Sequence, residues 1–329
     1  MQTTQVVSGL RLRPFGGEPD LADIVRVENL EAEADSLPER DSVEEMAAQF
    51  AHPNESFDPR RDVTLAEVDG QVVAVATRNV VDTTDGFREY RINGAVDPAW
   101  RRRGIGQVLL LDNERRMRDL AAAEHGASRR VYGSWSGDSQ PASAALLQSA
   151  GYGPVRYFFD MVRPHLEEIE AVPLPDGLEI RPIGPELTRA VWDADIDAFR
   201  DHWGGFDHSE EQLQRWLSNP SNDLSLWLVA FDGDEVAGGV INSIDPHQNA
   251  AMGFQRGWLS SVFTRRRWRR RGLARALIAR SLTLHRERGM TSAALGVDAE
   301  NPSGALGLYE GMGFGVNYRS IAWRKAFDR

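Results

Sequence analysis

The chain has 329 residues, 41% of them hydrophobic and 26% charged, a composition that buries real cores and excludes a disordered or collagen-like protein. It holds no cysteine, which excludes disulfides, thiolate metal sites and a cysteine acyl-enzyme. With 38 basic against 49 acidic residues the net charge is −11, the wrong sign for wholesale binding to nucleic acid.

The length predicts two domains. The opening, MQTTQVVSGLRLRP, lacks the regions of a signal peptide, and no apolar run approaches the roughly 18 residues of a membrane span. A cytoplasmic protein with no membrane partner is expected.

In chain order, a strand at Leu10–Arg13 leads into a helical region. Two strands follow, Val63–Val68 and Gln71–Val80, joined by Asp69-Gly70, a pair suited to a tight hairpin. A third long strand runs to an arginine cluster at 101–103. Beyond it, Ile105, Val108 and Leu109 lie at helical spacing, so 104–125 is predicted to be a helix. A strand at Arg130–Trp135, a short helix and a last strand at Val155–Val162 complete the half. The segment 164–177, PHLEEIEAVPLPDG, breaks both periodicities with its prolines and reads as a linker between domains at 1–165 and 176–329.

The second half follows the same order. A strand at Leu178–Arg181 precedes helices over Pro185–Phe199 and Ser209–Leu217, the latter with Ser209 as N-cap. Strands at Ser225–Phe231 and Glu235–Ser243 flank Asp232-Gly233-Asp234, and a long strand ends in RRRWRRR at 265–271. Leu273, Ala276, Leu277 and Leu284 then mark a helix over 272–288, followed by a strand at Ser292–Val297, a short helix and a strand at Val316–Trp323. The expected fold class is α/β (α+β): two tandem domains, each a mixed, mostly antiparallel sheet flanked by helices.

Short segments confirm the doubling. LRLRP at 10–14 returns as LEIRP at 178–182, VDGQVVA at 68–74 as FDGDEVA at 231–237, RRRGIG at 101–106 as RRRGLA at 269–274, and LLQSAGY at 146–152 as LYEGMGF at 308–314. All four recur in order about 165 residues apart, which is the length of a domain rather than of a solenoid repeat.

Arg-x-x-Gly-x-Gly/Ala between a strand and a helix suits a pyrophosphate. The glycines admit close approach of the backbone, the N–H groups and helix N-terminus attract anions, and arginine supplies a planar fork of donors. A dinucleotide fingerprint would need three spaced glycines after the first strand, and a Walker loop would need Gly-Lys-Ser/Thr. Neither is present.

VDPAWRRRGIGQVLL at 96–110, FTRRRWRRRGLARALI at 263–278 and VDAENPSGALGLYEGMGF at 297–314 resemble the motifs of the GCN5-related N-acetyltransferase (GNAT) family, as two tandem copies covering nearly the whole chain. The resemblance implies acetyl-CoA as co-substrate and direct attack by an amine on its thioester. In the second copy it implies that backbone groups of Val262, Phe263 and Thr264 hold the pantetheine arm, and that Arg269, Arg270, Arg271, Gly272, Leu273 and Ala274 wrap the pyrophosphate. Asn301 would contact the cofactor, Tyr309 would protonate the departing thiolate, and an N–H near Val262 would stabilise the oxyanion. The fourth and fifth strands would splay to admit the cofactor.

In the first copy Ala95, Val96, Arg101, Arg102, Arg103, Gly104, Ile105 and Gly106 hold the matching cofactor positions. There Leu147 stands opposite Tyr309 and Ser139 opposite Asn301, so that copy is expected to be non-catalytic. Tyr309 also reads as a packed aromatic, and Asn301 as a helix cap.

An acceptor ammonium must lose a proton before it attacks. The stretch 198–211, AFRDHWGGFDHSEE, offers Asp201, His202 and Trp203 as charge, base and wall, with Gly204-Gly205 as a mobile lid and His202 as the first base candidate. Trp192, Phe206, Trp258 and Phe254 suit an acceptor pocket or the core. The Asp201, His202, Asp207 and His208 group has no metal-ligand spacing, so no metal is expected.

Three readings stay open: N-acetyl transfer from acetyl-CoA to a small-molecule primary amine, transfer to a protein N-terminus or lysine, and a non-catalytic CoA- or nucleic-acid-binding module. The first is favoured, with no nucleic-acid partner.

Overall fold

The Asp69-Gly70 turn takes the shape that its residues suit, both with positive φ, at 52° and 82°. It joins β2 (Val63–Val68) to β3 (Gln71–Asp82) in the computed structural model, which describes residues 7–124, 129–200, 202–205, 208–301 and 303–327. Two compact units emerge. Unit 1 comprises 1–156, 203–219 and 320–329, and unit 2 comprises 157–202 and 220–319.

In unit 1, β1 (Arg11–Pro14), β2, β3 and β4 (Phe87–Val96) form antiparallel neighbours, and β4 runs parallel to β5 (Arg129–Gly137). Helices α1 (Leu21–Ala34) and α2 (Val43–Phe50) bring Ile24, Val27 and Met46 onto Leu65 and Val75. The short α3 (Pro59–Asp62) precedes β2. Two further helices, α4 (Ile105–Ala123) and α5 (Pro141–Ser149), pack Ile105, Leu109, Met117 and Leu147 into other clusters of the core.

Unit 2 has the matching plan. Strands β7 (Glu179–Arg181), β8 (Leu228–Asp232), β9 (Glu235–Ser243) and β10 (Arg256–Thr264) are antiparallel, and β10 runs parallel to β11 (Ser292–Asp298). Helix α6 (Thr188–Phe199) packs on β9 and β10. Helices α9 (Leu273–Glu287) and α10 (Ala305–Glu310) bury Leu273, Leu277, Leu282 and Tyr309 against Leu259, Leu295 and Val297.

The last strand of each sequence copy completes the other copy's sheet. Residues 158–163 of β6 (Gly153–Arg163) pair antiparallel with β11, and residues 320–326 of β12 (Gly315–Ala326) pair antiparallel with β5. Met161 of β6 is fully buried in the core of unit 2, and burying such a side chain stabilises by about 1.5–3 kcal/mol. Trp323 of β12 is buried in unit 1 and donates to Ser136 Oγ at 2.9 Å, while Lys325 meets Glu114 at 2.9 Å.

The units therefore differ from the halves expected at 1–165 and 176–329. Strand pairing is non-local, so the composition of the linker marks the end of a sequence copy without marking the end of a packed unit.

Other differences are local. The strand expected from Ser225 begins at Leu228, because Asp223 accepts from Ser225 N at 2.8 Å and caps a 3-10 turn over Leu224–Leu226. A helix not expected from the sequence, α8 (Pro246–Met252), starts at the Asp245 cap and stops at left-handed Gly253. Helix α7 (Glu210–Leu217), capped by Ser209 as expected, belongs to unit 1: Arg215 donates to His52 O at 2.6 Å, and Asn54 to Ser209 Oγ at 3.1 Å. Among the described residues no helix is long and apolar enough to cross a membrane.

Candidate functional site

Each unit turns from its fourth strand into its long helix by the same backbone path. Arg102 and Gly104 have φ of 64° and 79°, and Arg270 and Gly272 have φ of 61° and 83°. Neither α4 nor α9 has a side-chain cap, so their first-turn N–H groups remain available to an anion. Among the described residues, its own chain neighbours apart, nothing lies within 4 Å of where a Cβ on Gly272 would stand.

The arginines divide their labour. Arg269 Nε donates to Thr264 O at 3.0 Å and a terminal nitrogen to Ala198 O at 2.8 Å, which ties the turn to β10 and α6. Arg270 and Arg271 are exposed and have no hydrogen bond or ion pair with a described residue.

The fourth and fifth strands part in both units. In unit 2 the parallel ladder ends at Trp258↔Ala294, although β10 continues to Thr264 along β9 and β11 continues to Asp298 along β6. Where the strands separate, the register against β9 shifts between Leu259 and Ser261, so Ser260 forms a bulge. Ser261 Oγ donates to Asp195 Oδ1 of α6 at 2.5 Å. Val262, Phe263 and Thr264 follow, opposite Val240, Gly239 and Gly238, and Thr264 Oγ1 is buried without a partner among the described residues.

Tyr309 is buried, with its ring edge-on to Phe314 at 6.2 Å. Burial pushes its phenol up to about 12, so it holds its proton at neutral pH. Its hydroxyl has no hydrogen-bond partner among the described residues. Asn301 Oδ1 accepts from Ser303 N at 2.8 Å, and its Nδ2 lies 3.3 Å from His202 Nε2. Helix α10 is instead entered through left-handed Gly304.

Comparison with known proteins decides the family. The model of the Acetyltransferase (GNAT) family matches residues 25–152 and again 188–314. The chain belongs to the GNAT family of N-acetyltransferases. It is 28% identical over 309 residues to a mycothiol acetyltransferase of Salinispora tropica, covering 92% of this chain and 93% of that protein. A mycothiol acetyltransferase of Geodermatophilus obscurus is 27% identical over 270 residues, covering 81% and 82%. Among solved structures, a GCN5-related N-acetyltransferase from Sphaerobacter thermophilus matches with a TM-score of 0.71 at 26% identity, covering 98% of this chain and 97% of that one. A tandem GNAT protein from the clavulanic acid biosynthesis pathway shares the fold with a TM-score of 0.69 at 16% identity, covering 96% and 98%.

Within this GNAT chain, the parted strands of unit 1 are bridged by side chains. The parallel ladder ends at Arg91↔Gly133. Beyond it, Asn93 Oδ1 accepts from Trp135 N at 3.1 Å across the gap. Glu31 Oε1 of α1 accepts from Val96 N at 3.1 Å and from Arg101 at 3.2 Å. Arg101 makes a two-pronged pair with Asp35 at 2.7 and 2.8 Å, and Asp35 accepts from Gln140 Nε2 at 3.3 Å. Gln140 in turn accepts from Gly137 N at 2.8 Å. A continuous polar chain thus links the ends of β4 and β5. Arg101 is engaged within it, and Arg103 lies over the Trp100 ring at 4.7 Å. Leu147 is buried, and Ser139 Oγ is buried without a partner among the described residues.

Part of the expected acceptor region lies elsewhere. Trp203, Gly204 and Gly205 belong to unit 1, where the Arg324 guanidinium covers Trp203 at 4.5 Å and Arg91 donates to Gly204 O at 2.7 Å. A Cβ on Gly205 would come within 2.3 Å of Asp82 O, so the expected lid is packed backbone. Trp258 donates to Gln248 Oε1 of α8 at 3.1 Å, and Phe254 lies 4.0 Å beneath the Arg256 guanidinium. Trp192 is half-buried and His208 exposed, while Asp201, Phe206 and Asp207 lie outside the described residues.

Sequence reasoning missed Asp195. It sits one helical turn from Val191 and Ala198 on the buried stripe of α6, and an acid on an apolar stripe was the available signal.

Proposed function

We propose that the protein transfers the acetyl group of acetyl-CoA to the primary amine of a small molecule, in the cytoplasm, and that unit 2 performs the reaction. The observation that carries this reading is the contrast at the parted strands. In unit 2 the ladder between β10 and β11 ends at Trp258↔Ala294, β10 bulges at Ser260 and Ser261 turns to Asp195 of α6, whereas unit 1 bridges its own gap through Asn93 and Glu31. The residues of unit 2 fit the cofactor: among the described residues Thr264 Oγ1 lacks a partner and Arg270 and Arg271 stand free beside Gly272, and α9 has no side-chain cap.

Bound acetyl-CoA supplies a thioester carbonyl and a thiolate leaving group. Backbone groups of Val262, Phe263 and Thr264 bind the pantetheine arm, with an N–H near Val262 as oxyanion donor. The turn from Arg270 to Ala274 holds the pyrophosphate, and Tyr309 gives its proton to the sulfur. Asn301 contacts the cofactor. His202, whose Nε2 lies 3.3 Å from Asn301 Nδ2, aims this amide. Support for a small acceptor comes from the mycothiol acetyltransferases that span nine-tenths of this chain.

Calorimetric titration with acetyl-CoA tests the binding step, with one equivalent per chain expected. Thiol release is then followed with glucosamine, cysteine ethyl ester and a lysine-containing peptide as acceptors. Turnover of an amine with little turnover of the peptide supports the reading. Preference for the peptide, or no binding of acetyl-CoA, overturns it.

A further inference from the structure

An amine acceptor arrives at neutral pH as an ammonium, and β10 carries no carboxylate of its own to take its proton. Resting on the assignment of transfer to unit 2, we propose that Ser261 and Asp195 form the relay that deprotonates the acceptor, Ser261 Oγ receiving the ammonium proton while passing its own to Asp195 Oδ1.

Position supports the pair. Ser261 follows the bulge at Ser260, beyond the last rung between β10 and β11 and immediately before Val262. Its hydroxyl already donates to Asp195 Oδ1 at 2.5 Å, which leaves the oxygen lone pairs to accept from an amine. Asp195 differs from its neighbours on α6: Asp193 pairs with Arg189, and Asp197 with Arg265 and Arg200. Among the described residues Asp195 has no cation and only the Ser261 hydroxyl as partner.

The other charged groups on elements packed against α6 are committed elsewhere or exposed. Glu235 of β9 meets Arg267, Arg256 of β10 covers Phe254, and Glu186 of the preceding 3-10 turn is exposed. Burial lifts the Asp195 carboxyl to about 6, opposed by the Ser261 hydrogen bond. It is therefore ionised at neutral pH yet more basic than an ordinary carboxylate. In unit 1 the same place in the ladder, opposite Thr77 of β3 as Ser261 is opposite Ile241 of β9, belongs to Asn93, which instead bridges to Trp135.

The step balances. The ammonium gives one proton through Ser261 to Asp195, and the freed lone pair bonds to the thioester carbonyl carbon. As the carbon–sulfur bond breaks, the nitrogen loses a second proton to water and the sulfur takes one from Tyr309, which is reprotonated from water. Asp195 then releases its proton, so each turnover yields amide, CoA thiol and one proton.

The test uses the full chain with acetyl-CoA and either glucosamine or cysteine ethyl ester, from about pH 5.5 to about 9.5. Asp195→Asn is expected to lower kcat/KM for the amine about 100-fold near pH 7 and to abolish the acid limb near pH 6. Its rate should approach wild type as the pH passes the pKa of the amine, with KM for acetyl-CoA unchanged. Ser261→Ala should behave similarly and Ser261→Thr should restore the limb.

Carboxyl carbon-13 NMR of the free protein, assigned by loss of the resonance in Asp195→Asn, should show a titration near 6 that rises in Ser261→Ala. An ordinary carboxylate titration, or a variant profile scaled equally at every pH, overturns the relay alone. So does loss of the limb in Asp160→Asn, since burial also lifts the Asp160 carboxyl to about 6. If wild type binds acetyl-CoA but acetylates neither amine, transfer and relay fall together.

Discussion

Both units lay down the same left-handed turn and uncapped helix, at Arg102–Gly104 and at Arg270–Gly272, yet they treat the adjoining gap differently. In unit 1 the separated strands are joined by Asn93, Glu31, Asp35 and Gln140. In unit 2 the strand bulges, Ser261 turns to α6 and Thr264 Oγ1 has no partner among the described residues. On the proposed reading, possession of the turn is not enough to make a site. The first unit has met the polar needs of its gap from within, and a buried group already paired gains little from a ligand.

The largest expected effect separates the turns. Gly272→Glu places a carboxylate where the pyrophosphate is proposed to sit and should abolish acetyl-CoA binding by calorimetry. Gly104→Glu imposes similar left-handed strain, of about 1–2 kcal/mol, and should leave one equivalent bound. Loss of binding in both variants would dissolve the contrast.

Next, Tyr309→Phe should lower kcat by about 100-fold without changing acetyl-CoA affinity. Leu147→Tyr should add no activity to unit 1. Full turnover by Tyr309→Phe would remove the acid from the mechanism.

The smallest effect concerns stability. His285 is fully buried on α9, and burial, opposed by a backbone hydrogen bond with Trp258, pushes it down to about 4. Its contribution is present above its ordinary value of 6.5 and is lost as the pH falls towards 4, which amounts to about 3 kcal/mol. In unit 1, burial, with Asp41 and Glu31 nearby, pushes the Glu28 carboxyl up to about 8. That contribution is present below 4.5 and is lost as the pH rises towards 8. Asp195 and Asp160 of the same unit as His285, lifted to about 6, slope the other way, so the test is the difference from wild type. By hydrogen exchange resolved by segment, His285→Leu should make unit 2 less sensitive to acid and Glu28→Gln should make unit 1 less sensitive to mild base. A variant whose pH dependence matches wild type would refute its part of the account.

The cofactor side was more legible than the acceptor side, and for a physical reason. A glycine turn, an N-cap at Ser209 or a hairpin at Asp69-Gly70 is decided by residues within a few positions, so its sequence carries its geometry. The Asp245-Pro246 start and Gly253 stop of α8 were equally local signals, available and unread. The Ser261–Asp195 contact joins a strand to a helix across 66 positions, and no local pattern encodes it. Trp203, Gly204 and Gly205 show the converse, since residues of the second copy near its expected acceptor region pack in the first unit.

By itself the sequence determined that the chain is doubled, where its glycine turns stand, which faces of its helices are apolar and that Leu147 replaces the tyrosine of the second copy. Only the tertiary structure decided that β6 completes the sheet of unit 2 and β12 that of unit 1, and that side chains bridge the gap of unit 1. A strand's alternation states which face is buried but not which strand will lie beside it, and a polar side chain's type states what it can bond but not what will be within reach.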